Sequence, residues 1–273
     1  MRFAALCHNE SSAPILFRQK FFSASSKVVP DTKLIARINY HVSFMVAVEL
    51  QQVTKLFGRF AALRSVTAEF SSGRCYAIFG ENGAGKSTLL RVIAGLAHST
   101  SGKIIFSGPQ ETLRHRIGYV AHASMLYDEF SAMENLRYFG ALYGIKDDQK
   151  FAAAIRTVGL DPKLERRAGD YSQGMRQRLS LARMLMHDPE VLLLDEPFSN
   201  LDVTSARDIS TLIGKLRDAG KTILVVTHQV GNVAGVADHS LLFSQGQLLR
   251  CESGIEAARP DTPGTSSGEG VAR

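Results

Sequence analysis

The sequence predicts an α/β fold built on a mostly parallel sheet, and three observations carry that prediction. The first is the run Gly80-Glu81-Asn82-Gly83-Ala84-Gly85-Lys86-Ser87-Thr88. An apolar, β-prone stretch (Cys75-Tyr76-Ala77-Ile78-Phe79) precedes it, and a helix-like stretch from Thr88 to Ala94 follows it. Strand, glycine-rich turn and helix in that order form one supersecondary unit. The second is a pair of apolar runs, Val191-Leu192-Leu193-Leu194 and Ile223-Leu224-Val225-Val226, whose length suits strands covered on both faces. The third is the alternation of strand-like and helix-like patterns around those runs, which is the signature of a parallel sheet with helices on its faces.

Taken in order, the chain opens with residues 1–44, which mix Ser, Phe, Lys and Arg without sustained periodicity. Three readings compete for this extension: a targeting peptide, being Ser-rich and acid-poor; a flexible arm for a membrane surface or partner; and an upstream stretch read through to an early start codon. The third is favoured, because Met45-Val46-Ala47-Val48-Glu49-Leu50 leads straight into a strand pattern. Alternation continues through Val48, Leu50 and Val53, turns at Gly58, resumes with Leu63, Val66, Ala68 and Phe70, and turns again at Ser71-Ser72-Gly73. These two strands predict an antiparallel β layer ahead of the glycine-rich turn. Lys103–Phe106 and Ile117–Val120 read as short strands.

Helical spacing then takes over. Met133, Leu136, Phe139 and Leu142 predict one apolar face, and Phe151, Ile155 and Val158 another, closing near Gly159. A third helix runs from near Gly174 to His187, with Met175, Leu179, Ala182 and Met186 on one side, and Asp188-Pro189 ends it. The fold class is therefore α/β with an N-terminal antiparallel layer and a helical insert over about residues 124–183. Beyond the insert come the strand Val191–Leu194, a helix from Val203 to Ala219, the strand Thr222–Val226, and short strands at Ser240–Phe243 and Gln247–Leu249. Residues 251–273, rich in Gly, Ser, Pro, Ala and Glu, are expected to be a disordered tail.

Composition narrows the function classes. Hydrophobic residues make up 45% and charged residues 21% of 273, ordinary for a globular chain. No apolar run approaches the ~18–20 residues that span a bilayer. The net charge is +6, but residues 1–44 hold six bases (Arg2, Arg18, Lys20, Lys27, Lys33, Arg37) against two acids (Glu10, Asp31). That leaves only +2 for the rest, which argues against a nucleic-acid groove. Cys7, Cys75 and Cys251 lie far apart, without metal or disulfide spacing.

The glycine-rich run fits the phosphate-loop pattern G-x-x-x-x-G-K-[ST] at every fixed position. The α/β fold is thus of the P-loop NTPase (RecA-like) kind. Glycines let backbone N–H groups from Gly80 to Thr88 converge on phosphate oxygens, and the helix N-terminus adds partial positive charge. Lys86 would reach the β- and γ-phosphates, and the Ser87 hydroxyl would ligate Mg²⁺. A turn that binds nothing does not explain Lys-Ser after the last glycine. Asp195-Glu196 follows the buried run Val191–Leu194, at the strand end where ligands sit in such sheets. Asp195 would hold Mg²⁺, and Glu196 would polarise an attacking water. Alone, the pair would read as a cap on the next turn; beyond a phosphate loop it reads as catalytic.

With these motifs in this order, Val46 to Arg250 resembles the nucleotide-binding subunit of an ATP-binding-cassette (ABC) transporter. The resemblance places Phe57 where an aromatic stacks on adenine; the competing reading is a core Phe beside a turn. Tyr171-Ser172-Gln173-Gly174-Met175 falls at the family signature, usually Leu-Ser-Gly-Gly-Gln, and keeps only Ser172 and Gly174. In the family these two contact the γ-phosphate held by the opposite subunit; Ser172 also reads as a helix N-cap. Ser199-Asn200-Leu201-Asp202 resembles the loop along the dimer seam, with Asp202 equally an N-cap. His228 resembles the switch histidine that contacts the γ-phosphate. Where the family has a metal-coordinating Gln, this chain has His122, which either contacts a metal-bound water or is a surface His.

The resemblance implies an ATPase with ATP and Mg²⁺ as cofactors, no nucleic acid, a second ATPase subunit (a homodimer) and integral membrane subunits. It places the protein in the cytoplasm, peripheral on the inner face of the cell membrane. Gly118–His122, Leu126–Phe130, Glu134–Tyr138 and Leu142–Gly144 further resemble the haem-exporter ATPase of cytochrome c maturation. The alternatives are an exporter of a drug, lipid or polysaccharide, a non-transport ABC ATPase, and a simple phosphoryl-transfer kinase.

Overall fold

The computed structural model describes residues 46–108 and 113–255. The extension at residues 1–44 and the tail beyond 255 lie outside the described residues. Two sheets form. The smaller is antiparallel, in the order β2-β1-β4, from β1 (Val46–Phe57), β2 (Phe60–Ser71) and β4 (Ser101–Phe106). The larger has the order β5-β6-β7-β3-β8-β9. It comprises β3 (Cys75–Gly80), β5 (Ile117–Val120), β6 (Val191–Asp195), β7 (Thr222–Val226), β8 (His239–Ser244) and β9 (Gln247–Ser253). Its pairings are parallel except for the β8–β9 edge.

The pleat explains why apolar runs without alternation make these central strands. Cys75, Ala77, Phe79, Leu192, Leu194, Ile223 and Val225 face one core, whereas Tyr76, Ile78, Val191, Leu193, Leu224 and Val226 face another. Successive side chains on a strand point to opposite faces, so both faces must be apolar when both are covered. Burying Leu192 and Leu194, both fully inaccessible, contributes about 2 kcal/mol each. The first core is completed by the helical insert and α6 (Val203–Asp218), the second by α1 (Lys86–Ile93) and the small sheet. Short helices α2 (Leu113–Arg116) and α7 (Val230–Val233) fill connections. Burial pushes the free Cys75 thiol up to about 12, leaving it without thiolate character.

The insert holds α3 (Ala132–Leu142), α4 (Asp148–Thr157), a 3-10 turn (Ala168–Asp170) and α5 (Gln173–Leu185). A capping box starts α3: Ser131 accepts from the Glu134 amide, and Glu134 accepts from the Ser131 amide at 2.8 Å. Buried Asn135 ties the preceding loop down, accepting from the Tyr127 amide and donating to the Tyr127, Phe130 and Ser131 carbonyls.

Two expectations change. On α3, Leu136 is buried and Met133 and Phe139 pack partly buried against the same core, with Ala132, Asn135 and Gly140 also buried, but Leu142 is 73% exposed. Steps of three drift by about 60° each on a helix of 3.6 residues per turn, so the residue nine positions on points away from the first. The tail does not begin at Cys251, because β9 runs to Ser253 by pairing its backbone with β8, His239 opposite Ser253; backbone pairing leaves no trace in composition.

Candidate functional site

The site grows from the centre of the large sheet. β3 lies between β7 and β8, and the loop after it closes on Gly85, the N-cap of α1 at φ 101°. A side chain there would collide with the Ala62 carbonyl of β2. The loop is fastened by Gly246, whose amide donates to the Ala84 carbonyl at 3.0 Å and whose carbonyl accepts from the Arg64 amide at 2.8 Å. Within the loop Ala84 is buried, Glu81, Asn82 and Gly83 are exposed, and Ser87 and Thr88 are half-buried.

Lys86 is a buried cation. Its Nζ donates to the Gly80 carbonyl at 2.7 Å and the Glu81 carbonyl at 2.9 Å. Burial lowers its pKa, and the Glu196 and Asp195 carboxylates oppose that shift. The Ser87 hydroxyl donates to Asp195 Oδ1 at 2.8 Å. Asp195 is 2% exposed, and its other oxygen accepts from the Tyr119 hydroxyl at 3.3 Å. A hydroxyl and a carboxylate facing each other at the foot of a phosphate loop are hard oxygen donors. They fit Mg²⁺, which is held by one or two protein oxygens and shares the rest of its shell with phosphate and water. Among the described residues no cluster of three or more His, Cys, Asp or Glu could hold a metal alone.

Glu196 and His228 end adjacent parallel strands, Asp195 standing opposite Val226. The Glu196 amide donates to the Val226 carbonyl at 2.9 Å, and its backbone is left-handed at φ 53°. This turn brings Glu196 Oε2 to 3.1 Å from His228 Nδ1. The glutamate side chain is 18% exposed and the imidazole 65%. The pair presents a carboxylate beside an open ring, an arrangement able to orient and deprotonate a water.

Lys86, Ser87, Asp195, Glu196 and His228 therefore converge. The other expected residues do not join them. Ser172 caps α5, accepting from the Met175 amide at 3.3 Å. Gly174 is buried against Ser205 on α6, where a side chain would collide with the Ser205 hydroxyl. Asp202 caps α6 through the Ser205 amide at 2.9 Å. Phe57 is 54% exposed at the end of β1, with the Lys55 ammonium 4.9 Å from its ring centroid, so it is not a core residue. His122 is exposed in the loop after β5 and makes no hydrogen bond to Ser87 or Asp195 among the described residues. The sequence reading missed Tyr119; the only signal was a tyrosine near the carboxyl end of a predicted strand.

The family model described as ABC transporter matches residues 63–199. The chain is 36% identical over 198 residues to the ABC transporter ATP-binding protein NatA of Bacillus subtilis, covering 69% of this chain and 80% of that protein. The chain belongs to the ABC transporter family. This ABC ATPase is also 36% identical over 231 residues to the sulfate/thiosulfate import ATP-binding protein CysA of Methylococcus capsulatus, covering 80% of this chain and 66% of that one. It is 33% identical over 209 residues to the Nod factor export ATP-binding protein I of Cupriavidus metallidurans, covering 74% and 69%. Among solved structures, it resembles a nucleotide-free ATP-binding cassette from an ABC transporter with TM-score 0.70 at 25% identity, covering 78% of this chain and 93% of the other. A dimeric post-hydrolysis cassette bound to ADP and Pi superposes with TM-score 0.67 at 25% identity, over 78% and 99%. Among the described residues no helix is long and apolar enough to cross a membrane.

Proposed function

We propose that this ABC ATPase is the ATP-binding and ATP-hydrolysing subunit of an exporter, energising separate membrane subunits from the cytoplasmic face. The observation that supports it most is the convergence of Lys86, Ser87, Asp195, Glu196 and His228 at the carboxyl ends of β3, β6 and β7. In this reading the amides of residues 80–88 and Lys86 hold the ATP phosphates, and Phe57 stacks on adenine. Ser87 and Asp195 hold Mg²⁺, which when bound neutralises phosphate charge; His122 is its proposed outer contact. Glu196 takes the proton of the attacking water, and His228 orients Glu196 and faces the γ-phosphate. Two copies close head-to-tail with two-fold symmetry, and Ser172 and Gly174 at the N-terminus of α5 complete the site of the other copy.

The Glu196→Gln variant is expected to bind ATP as the parent does while turnover falls at least about 10²-fold, the scale of a lost general base. Nucleotide titration and phosphate release measured on the same preparation check this; undiminished turnover would remove Glu196 from the chemistry.

For the cargo we propose haem export in cytochrome c maturation, supported by the motifs spread over residues 118–144. An exporter of another cargo is the second reading, favoured by the likeness to the Nod factor export protein. Expression with its own membrane subunits, followed by purification and haem spectroscopy of the complex, separates the two. A haem absorption band on the complex supports the first, and a haem-free complex stimulated by a drug, lipid or polysaccharide supports the second.

A further inference from the structure

Asp195 has two carboxylate oxygens, and the structure accounts for both. Ser87 occupies Oδ1 at 2.8 Å, and the Tyr119 hydroxyl reaches Oδ2 at 3.3 Å. Tyr119 lies on β5, whose Val120 pairs with Leu194 of β6, the residue before Asp195. The Arg91 guanidinium in the last turn of α1 acts on this hydroxyl electrostatically, pulling against the rise in its pKa that burial causes. A phenol polarised by a nearby cation is a stronger donor to a carboxylate. The ring packs against the second core on one side and is half-buried. On the other it forms one wall of a cavity of about 550 Å³, together with Leu96, Met125, Phe139, Tyr143 and Met184. The hydrogen bond to Asp195 is therefore what fixes the hydroxyl end of a ring that packing covers only in part.

We propose that Tyr119 is the positioning residue for Asp195. By holding Oδ2, its hydroxyl fixes how the Asp195 carboxylate is turned toward a metal beside Ser87. The proposal rests on reading Ser87 and Asp195 as the Mg²⁺ pair. His122, the residue at the position where the family carries its metal-coordinating Gln, makes no hydrogen bond to Asp195 among the described residues, whereas Tyr119 does. Tyr119→Phe keeps the ring in the cavity wall and deletes only the hydroxyl. Asp195 Oδ2 then has no fixed partner, and the carboxylate is free to rotate away from Ser87.

The test is equilibrium binding, without turnover. A fluorescent ATP analogue is titrated into the full chain with excess Mg²⁺ and again with EDTA, and the ratio of the two affinities measures the metal's contribution. In Tyr119→Phe that ratio should fall about five-fold, as for the net loss of one ordinary hydrogen bond, while the affinity in EDTA stays at the parent value. Arg91→Gln, at an exposed position, should lower the ratio in the same direction by a smaller factor, and it decides the matter if the phenylalanine variant folds poorly. A parent whose affinity does not respond to Mg²⁺ would overturn the metal reading of Ser87 and Asp195, and this proposal with it. A responsive parent with an unchanged ratio in the variants overturns the role of Tyr119 alone. Equal losses with Mg²⁺ and with EDTA also overturn it, since they would show a general structural defect.

Discussion

Single atoms decide much of this site. At Gly174 the backbone of α5 approaches α6 so closely that a methyl group would collide with the Ser205 hydroxyl. That hydroxyl is committed, donating to Asp202 Oδ2 at 2.7 Å while the Ser205 amide donates to Oδ1 at 2.9 Å. One turn on, Arg178 and Asp208 face each other across the same seam at 4.0 Å. Gly174 thus has a packing reason independent of any phosphate. Gly174→Ala should destabilise the protein by about 1–3 kcal/mol, the usual cost of overpacking. Removing the obstacle should recover part of it, so Ser205→Ala is expected to cost less in the alanine background than alone. Urea unfolding of the four proteins of this double-mutant cycle measures the coupling. Strictly additive losses would mean that the two helices do not meet as described.

Elements were legible wherever local pattern and tertiary environment agree. Val191–Leu194 and Thr222–Val226 each carry four consecutive apolar residues that predict a strand, and both are buried throughout. Phe151, Ile155 and Val158 predict one helical face and are all buried. Phosphate loop, Asp195-Glu196 and His228 were legible because each ends or follows such a strand. What escaped was pairing at a distance. β4 joins the small sheet by pairing with β1, some fifty residues earlier, Leu50 opposite Ile104; nothing local in Ser101–Phe106 says so. The order β5-β6-β7-β3-β8-β9 is likewise a tertiary fact, and it alone brings Tyr119 of β5 to Asp195 of β6. α3 shows the converse. Its apolar residues repeat every three, but the helix turns by 3.6, so Leu136 is buried and Leu142 faces outward.

At the scale of the whole molecule, the two cores are sealed in part by imidazoles that folding keeps neutral. His187 follows α5 and stacks on Tyr143 with ring centroids 4.4 Å apart and planes within 12°. Its Nε2 lies 3.3 Å from the Ile117 carbonyl, and its buried Nδ1 has no hydrogen-bond partner. Burial lowers its pKa from 6.5, and the Ile117 carbonyl only partly offsets that. His239 on β8 stacks on Tyr76 at 5.0 Å, and burial lowers its pKa in the same way, with Asp238 opposing. For a base held below its ordinary value, the unfolded chain takes up the proton first. As pH falls below 6.5 the unfolded state binds more protons than the folded one, so stability declines through that window until the folded imidazoles titrate as well. The depressed carboxylates Glu190 and Asp148 act in the same direction, but only at pH values below the ordinary carboxylate range. The urea midpoint should therefore drop between about pH 7.5 and about pH 5.5, where histidines alone change charge. His187→Gln should lower the midpoint at both ends yet flatten the slope between them, because the group that titrates is gone. A variant with the parent's slope would assign the pH dependence to His239 or to other histidines, and a parent with no slope would mean that neither imidazole is held neutral by the fold.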